Sequence, residues 1–316
     1  MPAISVRAPA KTILFGEHAV VYGIPGIAVP IDTIGIKIGV FAKPKSSLDS
    51  ISIYHVETAS RYFLESLSPT HPTRAAIEII KDSLEIDHVP TCEIQIASSI
   101  PNSAGLGSSA AFAVALVKAI SLFLGFELDN NKINEIAYKI EKIQHGSPSG
   151  IDNTVITYER PVYFHKQGEQ EFLPIKTNFK LIIADSGQRT PTKQVVAEIK
   201  ELYSRDKKKI EELFEEIHII VMKAKQHLIN TDIKALGKLM NDNHKSLMRL
   251  GVSCEILDHL AQSALHAGAY GAKMCGGGRG GIIAALTPDE LSEHVIESLK
   301  NAGAIQCFKA TIQAHK

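Results

Sequence analysis

Several things that would mark other protein classes are scarce in this sequence. Charge of one sign is absent, since 34 Lys plus Arg balance 34 Asp plus Glu. No overall field therefore draws the chain toward nucleic acid or an anionic membrane, and any anionic ligand must be held by local groups. Aromatic residues make up only 6%, and no basic run is interleaved with them, which argues against an RNA-binding surface. The four cysteines, Cys92, Cys254, Cys275 and Cys307, show no Cys-x-x-Cys spacing. Neither a zinc site nor a disulfide framework is expected, and a reducing cytoplasm fits best. The most apolar stretch, Ala110 to Leu124, contains Lys118 and is shorter than the roughly 20 residues that cross a bilayer, so it reads as a buried helix. The N-terminus, Met1 to Arg7, has no apolar stretch ahead of its first basic residue, and no secretory signal is expected. Internal repeats and low-complexity segments are missing too.

What remains is an ordinary globular composition, 45% hydrophobic and 22% charged over 316 residues, long enough for about two domains. Short apolar, β-branched runs at Ala3–Arg7, Ile13–Phe15, Ile27–Ile31, Ile34–Phe41, Ser50–His55 and Thr91–Ala97 predict strands. A helical stripe spans Thr73–Leu84, and helices are predicted over Ser108–Leu124 and Lys132–Gln144. Strand character returns at Val162–His165 and Leu181–Ala184, followed by long charged helices from Lys193 to Leu250. The last stretch alternates: helix Cys254–Ala267, strand Gly271–Met274, glycine loop, strand Ile282–Leu286, helix Pro288–Ala302 and strand Ile305–Ile312. The class is α+β, with a boundary expected near Gln167–Thr177 that gives domains 1–170 and 171–316.

The strongest feature lies between a predicted strand and a long helix, where Pro101, Asn102, Ser103, Ala104, Gly105, Leu106, Gly107, Ser108 and Ser109 run in sequence. Glycines let the backbone turn tightly with its N–H groups inward, and the helix start adds unpaired N–H groups and partial positive charge, which favours a polyphosphate. Ser108 and Ser109 could cap the helix, and one of them could ligate Mg²⁺, a hard cation that takes oxygen donors. Within this run no Gly-Lys-Ser/Thr follows and Gly-x-Gly-x-x-Gly is absent, so a third type of phosphate loop is implied. Taken alone, a glycine pair reads rather as a tight turn ahead of a capped helix, and it is the full run that changes the balance. A second polar segment, Glu141 to Asn153, is dense in turn residues after a predicted helix and is the kind of loop that carries chemistry. Phosphoryl transfer needs a placed metal-bound phosphate and an oriented hydroxyl. Glu141 and Asp152 could divide those tasks, although either alone also reads as a solvated helix carboxylate or a turn residue.

The run from Pro101 resembles the central motif of the GHMP kinases. Two more of that family's motifs stand in the expected order: Pro9-Ala10-Lys11-Thr12-Ile13-Leu14-Phe15-Gly16-Glu17-His18-Ala19-Val20-Val21-Tyr22-Gly23 near the start, and Lys273-Met274-Cys275-Gly276-Gly277-Gly278-Arg279-Gly280-Gly281 near the end. Within the family the segment His145-Gly146-Ser147-Pro148-Ser149-Gly150-Ile151-Asp152 is most similar to that of the mevalonate kinases. The resemblance implies a two-domain GHMP kinase fold, with a ribosomal protein S5-like N-terminal domain and a ferredoxin-like α+β C-terminal domain. It implies ATP and Mg²⁺, a small hydroxy acid such as mevalonate as acceptor, and no nucleic-acid or membrane partner; a homodimer stays possible. Related anionic acceptors, as in phosphomevalonate kinase or mevalonate 3-kinase, are the alternative.

Carried over residue by residue, the resemblance makes Ser109 and Glu141 the metal ligands. Asp152 orients or deprotonates the acceptor hydroxyl, and Lys11 holds Asp152 ionised and offsets charge on the attacking oxygen. Glu17, His18 and Thr192 fall on the substrate side, and Gly277 and Gly278 join Pro101–Ser109 around the nucleotide. Arg279 departs from the all-glycine form common in that branch. It could clamp a phosphate, reach an anionic substrate or face solvent. Together with Arg189 it keeps a doubly anionic acceptor open.

Overall fold

The computed structural model describes residues 3–43, 50–102, 104–146, 148–165, 168 and 170–314, without the side chains of residues 144 and 145. Contacts divide the chain into two compact units, one of Met1–Ala10, Ile34–Ile100 and Gly107–Tyr158, the other of Lys11–Thr33, Pro101–Leu106 and Glu159–Lys316. Two long strands, β1 (Ala3–Phe15) and β2 (Gly26–Ala42), pass from one unit to the other. Each was expected as two shorter strands. Pro9 and the polar residues around Lys11, and Asp32 with Thr33, interrupt the apolar pattern that a sequence reading follows. Burial resolves this: exposure alternates along Ala3–Arg7, but every residue from Ala8 to Phe15 is buried, so both faces of the strand are covered there.

In the first unit the strands run in the order β4 (Ser60–Phe63), β3 (Ile51–His55), β5 (Cys92–Ser98) and the latter half of β2, with β1 paired to β2. Strands β3 and β5 are parallel, and isoleucines face one another at Ile53↔Ile94 and, across the antiparallel β2–β5 pair, at Ile38↔Ile96. The crossover between β3 and β5 contains β4 and helix α1 (Pro72–Leu84), which starts on a proline and on a His71 ring that accepts the Thr73 N–H. Helix α2 (Ser108–Phe123) is apolar all round and buries ten residues, as a central helix must. It packs against α3 (Asn130–His145) and α4 (Ile151–Tyr158). Asp129 caps α3 by accepting the Lys132 N–H at 2.7 Å.

In the second unit, β6 (Val162–Phe164) pairs with the start of β2 and with the short β7 (Glu171–Phe172). A separate antiparallel sheet has the order β11 (Gln306–Ile312), β8 (Phe179–Asp185), β10 (Ile282–Thr287), β9 (Gly271–Cys275). Numbered within the sheet this reads 4-1-3-2, the ferredoxin-like order that the family resemblance implies. The charged stretch forms α5 (Thr192–Arg205), α6 (Lys207–Asn230) and α7 (Ile233–Arg249), followed by α8 (Glu255–His266) and, after β10, by α9 (Ser292–Asn301). Helices α7 and α8 cover β9, the end strand. Two outward main-chain N–H groups of β9 are met by α7 side chains: Ala272 donates to Asn241 Oδ1 at 2.8 Å and Met274 to His244 Nδ1 at 3.2 Å. Asn241 and His244 are three apart and so share a helix face. Burial pushes His244 down to about 4, leaving a neutral ring with its proton on Nε2, 3.2 Å from Asp258 Oδ1.

Candidate active site

The first unit carries Gly107, Ser108, Ser109, Glu141 and Asp152. Gly107 is the N-cap of α2 at φ 74° and, among the described residues, no side chain caps the helix. Capping by Ser108 or Ser109 was the expectation, and the structure corrects it: a cap glycine in left-handed geometry places both serines inside the first turn. The Ser109 hydroxyl instead donates to Glu141 Oε1, a carboxylate that is 4% exposed on α3. These two oxygen groups are the pair that the sequence proposed as metal ligands. Asp152 lies in the first turn of α4, not in a turn beyond a helix. The turn-rich lead-in hid this helix, because its residues are buried almost all round and show no amphipathic period. Helix α4 is pinned to α3 by Asn153, which donates to Asn134 Oδ1 at 2.6 Å, and Thr154 closes the first turn through Gly150 O at 2.7 Å. Asp152 is therefore held on a rigid element and remains half-buried.

The second unit carries Lys11, Glu17, His18, Pro101 to Leu106, Thr192, Gly277 and Gly278. Lys11 is buried at 3% exposure, and its main-chain N–H donates to Leu106 O at 3.0 Å, which ties β1 to the first glycine loop. Ala104 and Leu106 are buried while Asn102 is exposed; Ser103 lies outside the described residues. The third glycine loop is the hairpin between β9 and β10. It meets the first so closely that a Cβ on Gly105 would lie 3.2 Å from Gly276 Cα. Gly278, at φ +83°, presses on the Val252 carbonyl, where a Cβ would come within 2.1 Å. A small crevice between these loops is lined by Ala104, Gly105, Thr190, Thr192, Gly277 and Gly278 among others, so Thr192 and the two glycine loops are brought together.

Glu17 is fully buried against Lys273, whose Nζ donates to Glu17 Oε1 and, at 2.7 Å, to Met274 O. Burial raises the Glu17 carboxyl above its ordinary value, and the charge of Lys273 opposes the rise. His18 adopts φ 61° as the N-cap of the short turn Ala19–Tyr22. Burial lowers it to about 4, with the Gly277 backbone opposing, so the ring is neutral at physiological pH. Glu17 Oε2 and His18 Nε2 are both buried and have no hydrogen-bond partner among the described residues. Each such atom costs about 1–3 kcal/mol, and together they suit a polar ligand.

Both arginines that kept a doubly anionic acceptor open are engaged internally. Arg189 grips the Asp185 carboxylate at 2.7 and 2.6 Å, and Arg279 pairs with Glu198 and donates to Gly251 O at 3.1 Å. Sequence reasoning missed Lys273, Asp185 and Glu198. The first had a signal: a charged residue inside the apolar run Gly271–Cys275 requires a buried partner.

Comparison with known proteins identifies the family. Residues 71–160 match the family model for the GHMP kinases N terminal domain and residues 224–305 the model for the GHMP kinases C terminal region. The mevalonate kinase of Pyrococcus abyssi is 39% identical over 95% of this chain and 93% of that protein. Among solved structures, the Methanococcus jannaschii mevalonate kinase has a TM-score of 0.86 at 27% identity, covering 99% of each chain. The L. major mevalonate kinase in complex with R-mevalonate has a TM-score of 0.83 at 26% identity, covering 98% of this chain and 96% of that one. With both family models matched in order and relatives aligned over nearly their whole length, the chain belongs to the GHMP kinase family.

Proposed function

We propose that the protein transfers the terminal phosphoryl group of ATP to the 5-hydroxyl of mevalonate, giving 5-phosphomevalonate for isoprenoid precursor synthesis. The observation that carries the reading is the start of α2: a glycine loop runs into a helix that no described side chain caps, and within the first turn Ser109 meets the buried carboxylate of Glu141. The loop and helix start offer main-chain N–H groups to a polyphosphate. A hydroxyl and a carboxylate are hard oxygen donors and fit Mg²⁺, which keeps several waters and takes only one or two carboxylates beside substrate phosphates. The absence of any group of three His, Cys, Asp or Glu with metal-site geometry among the described residues agrees with so sparse a protein donor set. When bound, the ion would neutralise charge on the phosphates.

The chain's own groups do the rest. Asp152, set on a pinned helix, orients the acceptor hydroxyl. Full deprotonation early in the reaction is unnecessary, because a loose transition state asks little of the nucleophile. Lys11 offsets negative charge on the attacking oxygen. Glu17 Oε2 and His18 Nε2 meet polar groups of the acceptor, and Thr192, Gly277 and Gly278 shape the wall of the crevice. The internal engagement of Arg189 and Arg279 favours a singly anionic acceptor over phosphomevalonate. The division into domains 1–170 and 171–316 and a cytoplasmic location belong to the same reading; all four cysteines are free, and among the described residues no helix is long and apolar enough to cross a membrane.

ADP release with mevalonate, phosphomevalonate, homoserine and galactose tests this. Turnover is expected with mevalonate and Mg²⁺. Absence of turnover with mevalonate would reject the acceptor, and absence with every alcohol would reject the kinase.

A further inference from the structure

The connection from β8 to α5, Asp185 to Thr192, touches both glycine loops of the second unit. Toward the third loop, the Ser186 N–H and hydroxyl donate to Gly281 O at 2.9 and 2.8 Å, the Gly281 N–H donates to Gln188 O at 2.8 Å, and Thr190 Oγ1 donates to Arg279 O at 2.7 Å. Toward the first loop the Arg189 side chain reaches across: its Nε donates to Asn102 O at 2.8 Å. Both terminal nitrogens of the same guanidinium are committed elsewhere, to the two oxygens of Asp185, and one of them also to Gln188 O at 3.1 Å. Asp185 is 1% exposed and also accepts the Gly187 N–H at 2.9 Å, so its carboxylate is fixed.

A bidentate carboxylate pair sets the plane of a guanidinium and so fixes the direction of its Nε–H. Here that direction is the carbonyl of Asn102, in a loop whose own side chain there is exposed. We propose that Arg189, held by Asp185, is a positioning residue for the nucleotide: it fixes the first glycine loop in register with the third. Every nitrogen of the guanidinium already donates within the protein, through four of its five N–H groups. This rests on the phosphotransferase reading above.

The test compares Arg189→Met, Arg189→Lys, Asp185→Asn and the Asp185→Asn/Arg189→Met double variant with the wild type. The readouts are direct titration of a non-hydrolysable ATP analogue with Mg²⁺, the KM for mevalonate, the melting temperature, and hydrogen exchange of residues 101–106 in the ligand-free protein. Affinity for the analogue should fall about ten- to a hundredfold in Arg189→Met, the equivalent of one hydrogen bond from a charged donor. Asp185→Asn should fall similarly and the double variant no further, since the two residues act as one unit. The mevalonate KM should stay unchanged, and exchange at 101–106 should quicken. Arg189→Lys keeps a charge for Asp185 but cannot also reach Asn102, so its melting temperature should return without its nucleotide affinity. This variant keeps the proposal testable should the others fold poorly. A raised mevalonate KM with unchanged nucleotide affinity, or unchanged exchange at 101–106, overturns the proposal. A wild-type protein that binds the analogue tightly but leaves mevalonate untouched overturns the acceptor assignment alone.

Discussion

Replacing Lys273 with methionine keeps most of the side chain's volume and removes only its charge. In the structure Lys273 is 0% and Glu17 1% exposed, and among the described residues Glu17 Oε2 has no partner to fall back on. Taking one partner from a buried ion pair costs about 3–5 kcal/mol, because the other charge is left uncompensated. Against total stabilities of about 5–15 kcal/mol this is large, and at roughly 2–4 °C per kcal/mol it lowers the melting temperature by roughly 6–20 °C. The sign of the pH dependence follows from Glu17. Burial already raises its pKa from 4.5, and without Lys273 nothing of comparable strength opposes the rise. A carboxyl whose folded pKa lies above its unfolded one contributes fully below the unfolded value and loses that contribution as pH rises through the folded value. The deficit of Lys273→Met relative to wild type should therefore be small near pH 4.5 and widen toward neutrality. Scanning calorimetry across that range reads it directly. Removing both charges in Glu17→Gln/Lys273→Met should recover most of the loss. A deficit that does not change with pH would mean that the ammonium acts through packing, and the reasoning from charge would be refuted.

Asp152→Asn should leave folding and nucleotide binding intact while lowering kcat by about 10²–10⁴-fold; near-normal turnover would remove Asp152 from the chemistry. For Glu141→Gln, half-maximal activity should need a higher magnesium concentration, and an unaltered magnesium titration would place the metal elsewhere. His18 and His244 are both held at about 4, against 6.5 for a free imidazole. A depressed folded pKa means their contribution is present above 6.5 and lost as pH falls toward 4. Stability should decline over that window, and a His244→Gln variant should show a shallower slope by chemical denaturation.

Much of the fold was legible because its signals are local. The strand-loop-helix order around Pro101 to Ser109, the apolar α2 and the final β9-loop-β10 hairpin all follow from short-range pattern and turn chemistry. Boundaries failed where burial on both faces erases periodicity, as along Ala8–Phe15 in β1 and Ile151–Tyr158 in α4. In the site, the family resemblance named Ser109 and Glu141 together as metal ligands, and the structure joins them by a hydrogen bond. Long-range partners were not legible: Lys273 lies 256 residues from Glu17, and Arg279 lies 81 from Glu198. No local pattern encodes such distances. The roles of Arg189 and Arg279 turned on those unseen partners, since a cation reads as a ligand group until its carboxylate is found.

One further consequence attaches to the way α7 covers β9. A terminal strand ordinarily presents a row of free amides on which another polypeptide can add itself by main-chain pairing, a route to runaway self-association. Asn241 and His244 occupy that row from within the molecule. At this border of the sheet the protein is closed to strand addition, and any neighbour that approaches there must be recognised through side chains instead.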